Sequence, residues 1–126
     1  MITFDHVTYT YEGQTVPSLR DCSFTVGPGE LILFTGESGC GKTTVTCAVL
    51  QALANRGMRL HAFKCGPDYI DPTFHAQATG LPACNLDTWM MGRDGVRALW
   101  DSRAHDADAA VCEGDSVIFF NFRPDR

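Results

Sequence analysis

Gly36-Glu37-Ser38-Gly39-Cys40-Gly41-Lys42-Thr43 decides the fold. Glycine stands at its first, fourth and sixth positions and is followed by Lys and Thr, the GxxxxGK[ST] spacing of a loop that wraps phosphate. Glycine lets the backbone take conformations closed to other residues, so that successive N–H groups turn inward. The donors converge at the N-terminus of the helix that begins near Lys42, where the helix dipole also favours an anion. Lys42 places a cation against β- and γ-phosphates, and the Thr43 hydroxyl is the right size to ligate Mg²⁺. By chance the pattern arises in roughly half a percent of chains this long.

The flanks agree with the motif. Upstream, residues 31 to 35 (LILFT) are a largely apolar run suited to a strand buried on both faces. Downstream the period changes: Val45, Ala48, Val49, Ala52 and Leu53 recur on one face of a helix over 42–56, with Gly57 as its stop. Met58 to Phe63 reads as a short strand. Strand, loop, helix and strand over 31–63 predict a parallel α/β sheet.

Before this unit, Ile2 to Tyr11 and Leu19 to Val26 read as two antiparallel strands, with a turn at 12–14 and a close at Gly27-Pro28-Gly29. After it, Asp71-Pro72 predicts the start of a short helix ending near Gly80, and Val96, Leu99, Trp100 and Arg103 mark another. Ala107 to Cys112 reads as a core strand parallel to the one entering the glycine loop, and Val117 to Phe120 as a last strand. The expected fold is α/β: a P-loop NTPase-like partial parallel sheet with an N-terminal antiparallel β segment. Its divisions are 1–30, the antiparallel segment, 31–114, the nucleotide-binding core, and 115–126, an extra strand and polar tail.

Bulk properties narrow the function. The chain has 126 residues, 44% hydrophobic and 20% charged, with a net charge of −5. No basic cluster suggests nucleic acid as a partner, and no apolar run is long enough to insert directly into a membrane. Six cysteines, Cys22, Cys40, Cys47, Cys65, Cys84 and Cys112, lack zinc-ligand spacing and read as reduced thiols of a cytoplasmic protein.

Two further places can carry chemistry. Glu113 ends a core strand at the edge where such sheets bind ligands, so it is either a Mg²⁺ ligand or a solvated acid at a strand end. The stretch 63–72 (FKCGPDYIDP) leaves a strand on the same edge, and is either a substrate loop or an ordinary loop with a helix cap. His61, in or beside a strand, and His75, on a short helix, both read as structural.

Three resemblances cover three segments. Residues 1–44, through "ITFDHVTYTYEG" and "LRDCSFTVGPGELILFTGESGCGKTT", resemble the start of an ABC transporter ATP-binding subunit, which implies that Tyr11 stacks on adenine. Residues 36–114, through "GCGKTTVTCAVLQALANRGMRLHAFKCGPDYIDPTFH", "NLDTWMMG" and "DADAAVCEG", resemble the ATP-binding domain of cobyrinic acid a,c-diamide synthase. That family activates a corrinoid carboxylate as an acyl phosphate with ATP, and ammonia then displaces phosphate. Residues 115–126, "DSVIFFNFRPDR", resemble a piece of cofactor-independent phosphoglycerate mutase, whose phosphate-gripping arginines would correspond to Arg123 and Arg126; no mutase activity is expected from so short a piece.

The second resemblance implies catalytic roles for Lys42 and Glu113, and Mg²⁺ held by Thr43 and Glu113. It implies nucleotide contacts from Gly36, Ser38, Gly39, Cys40, Gly41, Lys42, Thr43 and Thr44, with Lys64 and Asp68 at the ATP and substrate site. The expectation is a chimeric, truncated Mg·ATP-binding domain with the ancestry of an amidating ligase and no turnover alone. Its partners would be nucleotide and a corrinoid, with self-association through unpaired sheet edges. The alternative is an ABC transporter fragment whose ATP hydrolysis drives transport.

Overall fold

The computed structural model describes residues 1–27, 32–37, 39–114 and 116–121. Pro28 and Gly29 of the expected turn, Leu31, Ser38, Arg123 and Arg126 lie outside the described residues.

The first two strands, β1 (Ile2–Tyr9) and β2 (Leu19–Val26), pair antiparallel as a ribbon. Phe4 stacks on Phe24 with ring centroids 4.2 Å apart, and Phe4 and Val26 are buried in the main core. The ribbon is thus anchored by its apolar end.

Five strands form the main sheet in the order β3-β7-β6-β4-β5: β3 (Ile32–Thr35), β4 (Leu60–Cys65), β5 (Cys84–Leu86), β6 (Ala109–Glu113) and β7 (Ser116–Asn121). The pairs β4–β5 and β4–β6 are parallel, whereas β7 runs antiparallel to both β6 and β3. β3 therefore points the same way as β6, as expected, but β7 lies between them. The cause is the length of the connection. Only two residues separate Glu113 from Ser116, and a parallel return needs a crossover of a dozen or more. The sheet is parallel over three strands and mixed beyond them.

Alternation divides the strands between two faces. Leu60, Ala62, Ala109 and Val111 join Val49, Leu50 and Leu53 of α1 (Lys42–Ala54) and Ala78 of α2 (Ile70–Thr79) in one core. Phe63, Ala110 and Cys112 face the other way, against Cys84, Leu86 and Trp100 of α3 (Thr88–Ala104). Phe63 and Trp100 hold ring centroids 4.8 Å apart.

α1 begins with Lys-Thr-Thr-Val-Thr, a β-branched run of modest helix propensity. Burial compensates. Thr46, Cys47, Ala48, Val49, Leu50 and Leu53 are all buried, a wider arc than the single stripe expected from sequence. The Thr46 hydroxyl satisfies itself on the Lys42 carbonyl at 2.9 Å. Gly57 ends the helix at φ 79°, with Gly57 N donating to Ala54 O and Met58 N to Leu53 O, the paired bonds of a Schellman stop.

Two helix starts and one strand differ from expectation. α2 starts before Asp71, because the Asp68 carboxylate accepts from Ile70 N at 2.8 Å and Asp71 N at 3.4 Å and so caps the helix. α3 starts at Thr88, capped by Asp87, and bends at Gly92, whose φ is 69° and ψ 172°. Strand β5 is too short for periodicity to have announced it. Among the described residues, no helix is long and apolar enough to cross a membrane.

Candidate functional site

The strand-to-helix turn between β3 and α1 has the backbone that its glycines suggest. Gly39 and Gly41 sit at φ 83° and 95°, in the left-handed region. A Cβ at Gly36 would meet Cys40 Sγ, which would have to rotate away. Gly41 is the N-cap of α1 and gives no side-chain cap, and no acid lies in the first turn. The first turn of α1 thus supplies neither an acid nor a side-chain cap of its own, and its amides point toward the cleft side of the loop.

The turn borders a cleft of about 910 Å³. Gly36, Glu37, Gly39, Gly41, Lys42 and Thr43 line one side. Lys64, Cys65, Gly66, Asp68 and Asp71, from the end of β4 and the start of α2, line the other, with Glu113 and Gly114 between them. The Lys42 ammonium lies over the loop, donating to the carbonyls of Gly36 and, at 2.9 Å, Glu37.

At the cleft floor Glu113 is 1% exposed. The Thr43 hydroxyl donates to its Oε1 at 2.6 Å, Lys64 Nζ lies 3.5 Å from the same oxygen, and His75 Nε2 meets Oε2 at 2.7 Å. Burial alone would raise the pKa of Glu113. The hydrogen bonds from His75 and Thr43, with the charges of His75 and Lys64, outweigh it and hold the carboxyl below its ordinary value. Glu113 is therefore a carboxylate at neutral pH, buried and aimed at the first turn of α1.

Lys64 also pairs with Asp71 at 2.6 Å. Burial works against its charge, but the Asp71 bond and the carboxylates of Glu113, Asp71 and Asp68 raise its pKa above the usual lysine value. Asp68 is held below the carboxylate range, chiefly by the Ile70 amide. Asn85 Nδ2 donates to the carbonyls of Gly66 (2.8 Å) and Asp68, fixing the loop that presents Lys64 and Asp68.

The oxygen donors fit a hard cation. A hydroxyl and a carboxylate meet beside the glycine loop. Among the described residues, no group of three or more His, Cys, Asp or Glu side chains could hold a metal alone. Such a partial set suits Mg²⁺, which keeps waters and shares phosphate oxygens rather than sitting in an all-protein cage.

Not every expected residue converges here. Tyr11 stands outside the cleft lining: its hydroxyl bonds Thr44 Oγ1 at 3.1 Å and its ring packs on Phe74, centroids 5.3 Å apart. Thr44 is thereby turned toward the ribbon side of α1. His75, read as structural from sequence, is fully buried and touches the site through Glu113. Nothing in its spacing announced this, because the contact spans 38 positions. Asn85 was equally silent, a lone amide in a three-residue strand.

Residues 31–94 match the family described as CobQ/CobB/MinD/ParA nucleotide binding domain. The hydrogenobyrinate a,c-diamide synthase of Agrobacterium fabrum is 45% identical over 89 residues, 71% of this chain and 20% of that protein. Its counterpart in Rhodobacter capsulatus is 49% identical over 93 residues, 74% of this chain and 21% of that protein. The cobyrinate a,c-diamide synthase of Leptospira interrogans is 41% identical over 87 residues, 69% and 19% respectively. The chain thus spans about a fifth of the length of these relatives. No solved structure matches it. These findings support the resemblance read from residues 36–114, while the transporter-like and mutase-like resemblances rest on their own residues alone. With its glycine loop and α1 inside the matched span, the chain belongs to the CobQ/CobB/MinD/ParA nucleotide binding domain family.

Proposed function

We propose that this chain binds Mg·ATP in the cleft between the 36–43 loop and the 64–71 segment, as the nucleotide-binding part of an amidating synthase. The observation that carries the proposal is the meeting of Thr43, Glu113 and Lys64 beside an uncapped helix N-terminus. Loop amides and the Lys42 ammonium would take the β- and γ-phosphates. Thr43 and Glu113 would hold Mg²⁺, which when bound neutralises phosphate charge. Lys64, which lines the cleft across from Lys42, would face the transferred phosphoryl group.

The relatives' reactions suggest the substrate: a carboxylate of a corrinoid such as cobyrinate or hydrogenobyrinate. In the proposed sequence a carboxylate oxygen attacks the γ-phosphorus and ADP leaves. Ammonia then attacks the acyl carbon of the acyl phosphate, and phosphate departs. For the described residues alone we propose binding without amidation, since the groups that meet in the cleft handle phosphate and a cation and none of them releases ammonia.

Calorimetric titration with Mg·ATP, repeated with Mg·GTP, tests the binding step. Saturable binding of Mg·ATP is expected. Lys42→Ala should weaken it by about tenfold to a hundredfold, the cost of one charge-assisted contact. An unchanged titration would refute the site. The second reading, the front of a transporter ATPase, would need the Tyr11 ring to stack on adenine, whereas here that ring packs on Phe74 and its hydroxyl bonds Thr44. Tyr11→Ala should leave Mg·ATP affinity unaltered in the synthase account and weaken it in the transporter account.

A further inference from the structure

His75 lies where an apolar residue would be expected. It is 0% exposed, on the face of α2 that also buries Pro72 and Ala78. Its Nδ1 is buried with no hydrogen-bond partner among the described residues. An unsatisfied buried polar atom is costly, so a histidine at this point needs a compensating contact. The contact is on the other ring nitrogen. With Glu113 ionised, Nε2–H donates to Oε2 at 2.7 Å.

The two oxygens of Glu113 then have separate partners. Oε2 is held by His75 from the α2 side, while Oε1 meets Thr43 and Lys64 on the cleft side. Without His75, Oε2 would be a buried carboxylate oxygen lacking a donor, and rotation of the carboxyl group would no longer be opposed. Donors behind a ligand carboxylate fix which oxygen faces the cation.

We propose that His75 is a positioning residue for Glu113: it keeps Oε1 turned to Thr43, so that hydroxyl and carboxylate present one cation site. The proposal rests on the Mg·ATP function above. It assigns His75 no contact with nucleotide and no proton transfer.

The test measures Mn²⁺, a spectroscopic substitute for Mg²⁺, binding to the ATP-loaded chain by electron paramagnetic resonance, with ATP affinity in EDTA measured in parallel. His75→Leu should weaken Mn²⁺ by about 10- to 100-fold and leave metal-free ATP affinity unaltered. His75→Gln, which can return an N–H donor toward Oε2, should recover most of the loss. In a Glu113→Gln background, His75→Leu should have no further effect on Mn²⁺. Should His75→Leu not fold, His75→Asn, whose amide falls short of Oε2, carries the same expectation.

Equal Mn²⁺ affinity in His75→Leu and wild type would overturn the proposal. So would a matching loss of metal-free ATP affinity, or no recovery in His75→Gln, since each marks a packing role only. Failure of the underlying function looks different, because the wild-type chain itself would then bind no ATP.

Discussion

Thr43 and Glu113 stand at the start of α1 and the end of β6, and the hydroxyl of one donates to Oε1 of the other at 2.6 Å. A hydroxyl–carboxylate bond of this length is charge-assisted. It joins the first turn of α1 to the end of β6, the central strand of the five, and the same two oxygens are those a hard cation would share. Thr43→Val keeps the branched shape and removes the donor. We expect the Mg²⁺-dependent part of ATP affinity to fall at least about tenfold, with binding in EDTA little changed. Calorimetry with and without Mg²⁺ measures both; equal Mg²⁺ dependence in variant and wild type would contradict this.

Glu113 also sets a pH dependence. Its folded pKa is depressed, so its contribution to stability is present above the ordinary value of 4.5 and is lost as pH falls through the lower folded value. Glu113→Gln removes that ionisation. The stability gap between wild type and variant, measured by denaturant midpoints, should be largest at neutral pH and close as the solution is acidified below 4.5. A gap that stays constant to low pH would count against the depressed value.

The core under the loop carries stability. Leu50 is 0% exposed on α1, against the β4 and β6 residues Leu60 and Val111 of the same cluster. Leu50→Ala should cost about 2–5 kcal/mol, seen as a lower urea midpoint at constant slope. A loss below about 1 kcal/mol would mean that α1 is not packed as described.

Asp68 has a structural duty distinct from the proposed ligand site. Its carboxylate caps α2 through Ile70 N and Asp71 N. Asp68→Ala should cost about 1 kcal/mol, and Asp68→Asn, which keeps an accepting oxygen, should cost much less. Equal destabilisation by both would show that the charge rather than the cap matters.

How much of this was legible in the sequence follows from where each signal lies. The glycine loop, α1 and the ribbon strands were readable because each is written in contiguous residues: glycine spacing, helical period, β-branched alternation. Glu113 was placed at the correct edge by its position after an apolar strand, but its burial was not foreseen, because that depends on His75 and Thr43 arriving from two other elements. The insertion of β7 between β3 and β6 is a matter of connection length and pairing, and the apolar run 117–120 alone left its neighbours open. The stop of α2 at Gly80 is legible but its start is not, because Asp71-Pro72 resembles a helix start while the cap comes from Asp68, which a turn-rich segment conceals. Asn85 and His75 act over long separations and leave no local pattern at all.

The central claim, that the amides of this turn receive a polyphosphate, is tested most directly by ¹H–¹⁵N spectra of the labelled chain titrated with Mg·ATP. Saturating shifts are expected at Gly39, Gly41, Lys42 and Thr43, with the β1–β2 ribbon amides of Thr3 and Thr25 unmoved. Saturation with those four amides unshifted, or no saturable change anywhere, would contradict it.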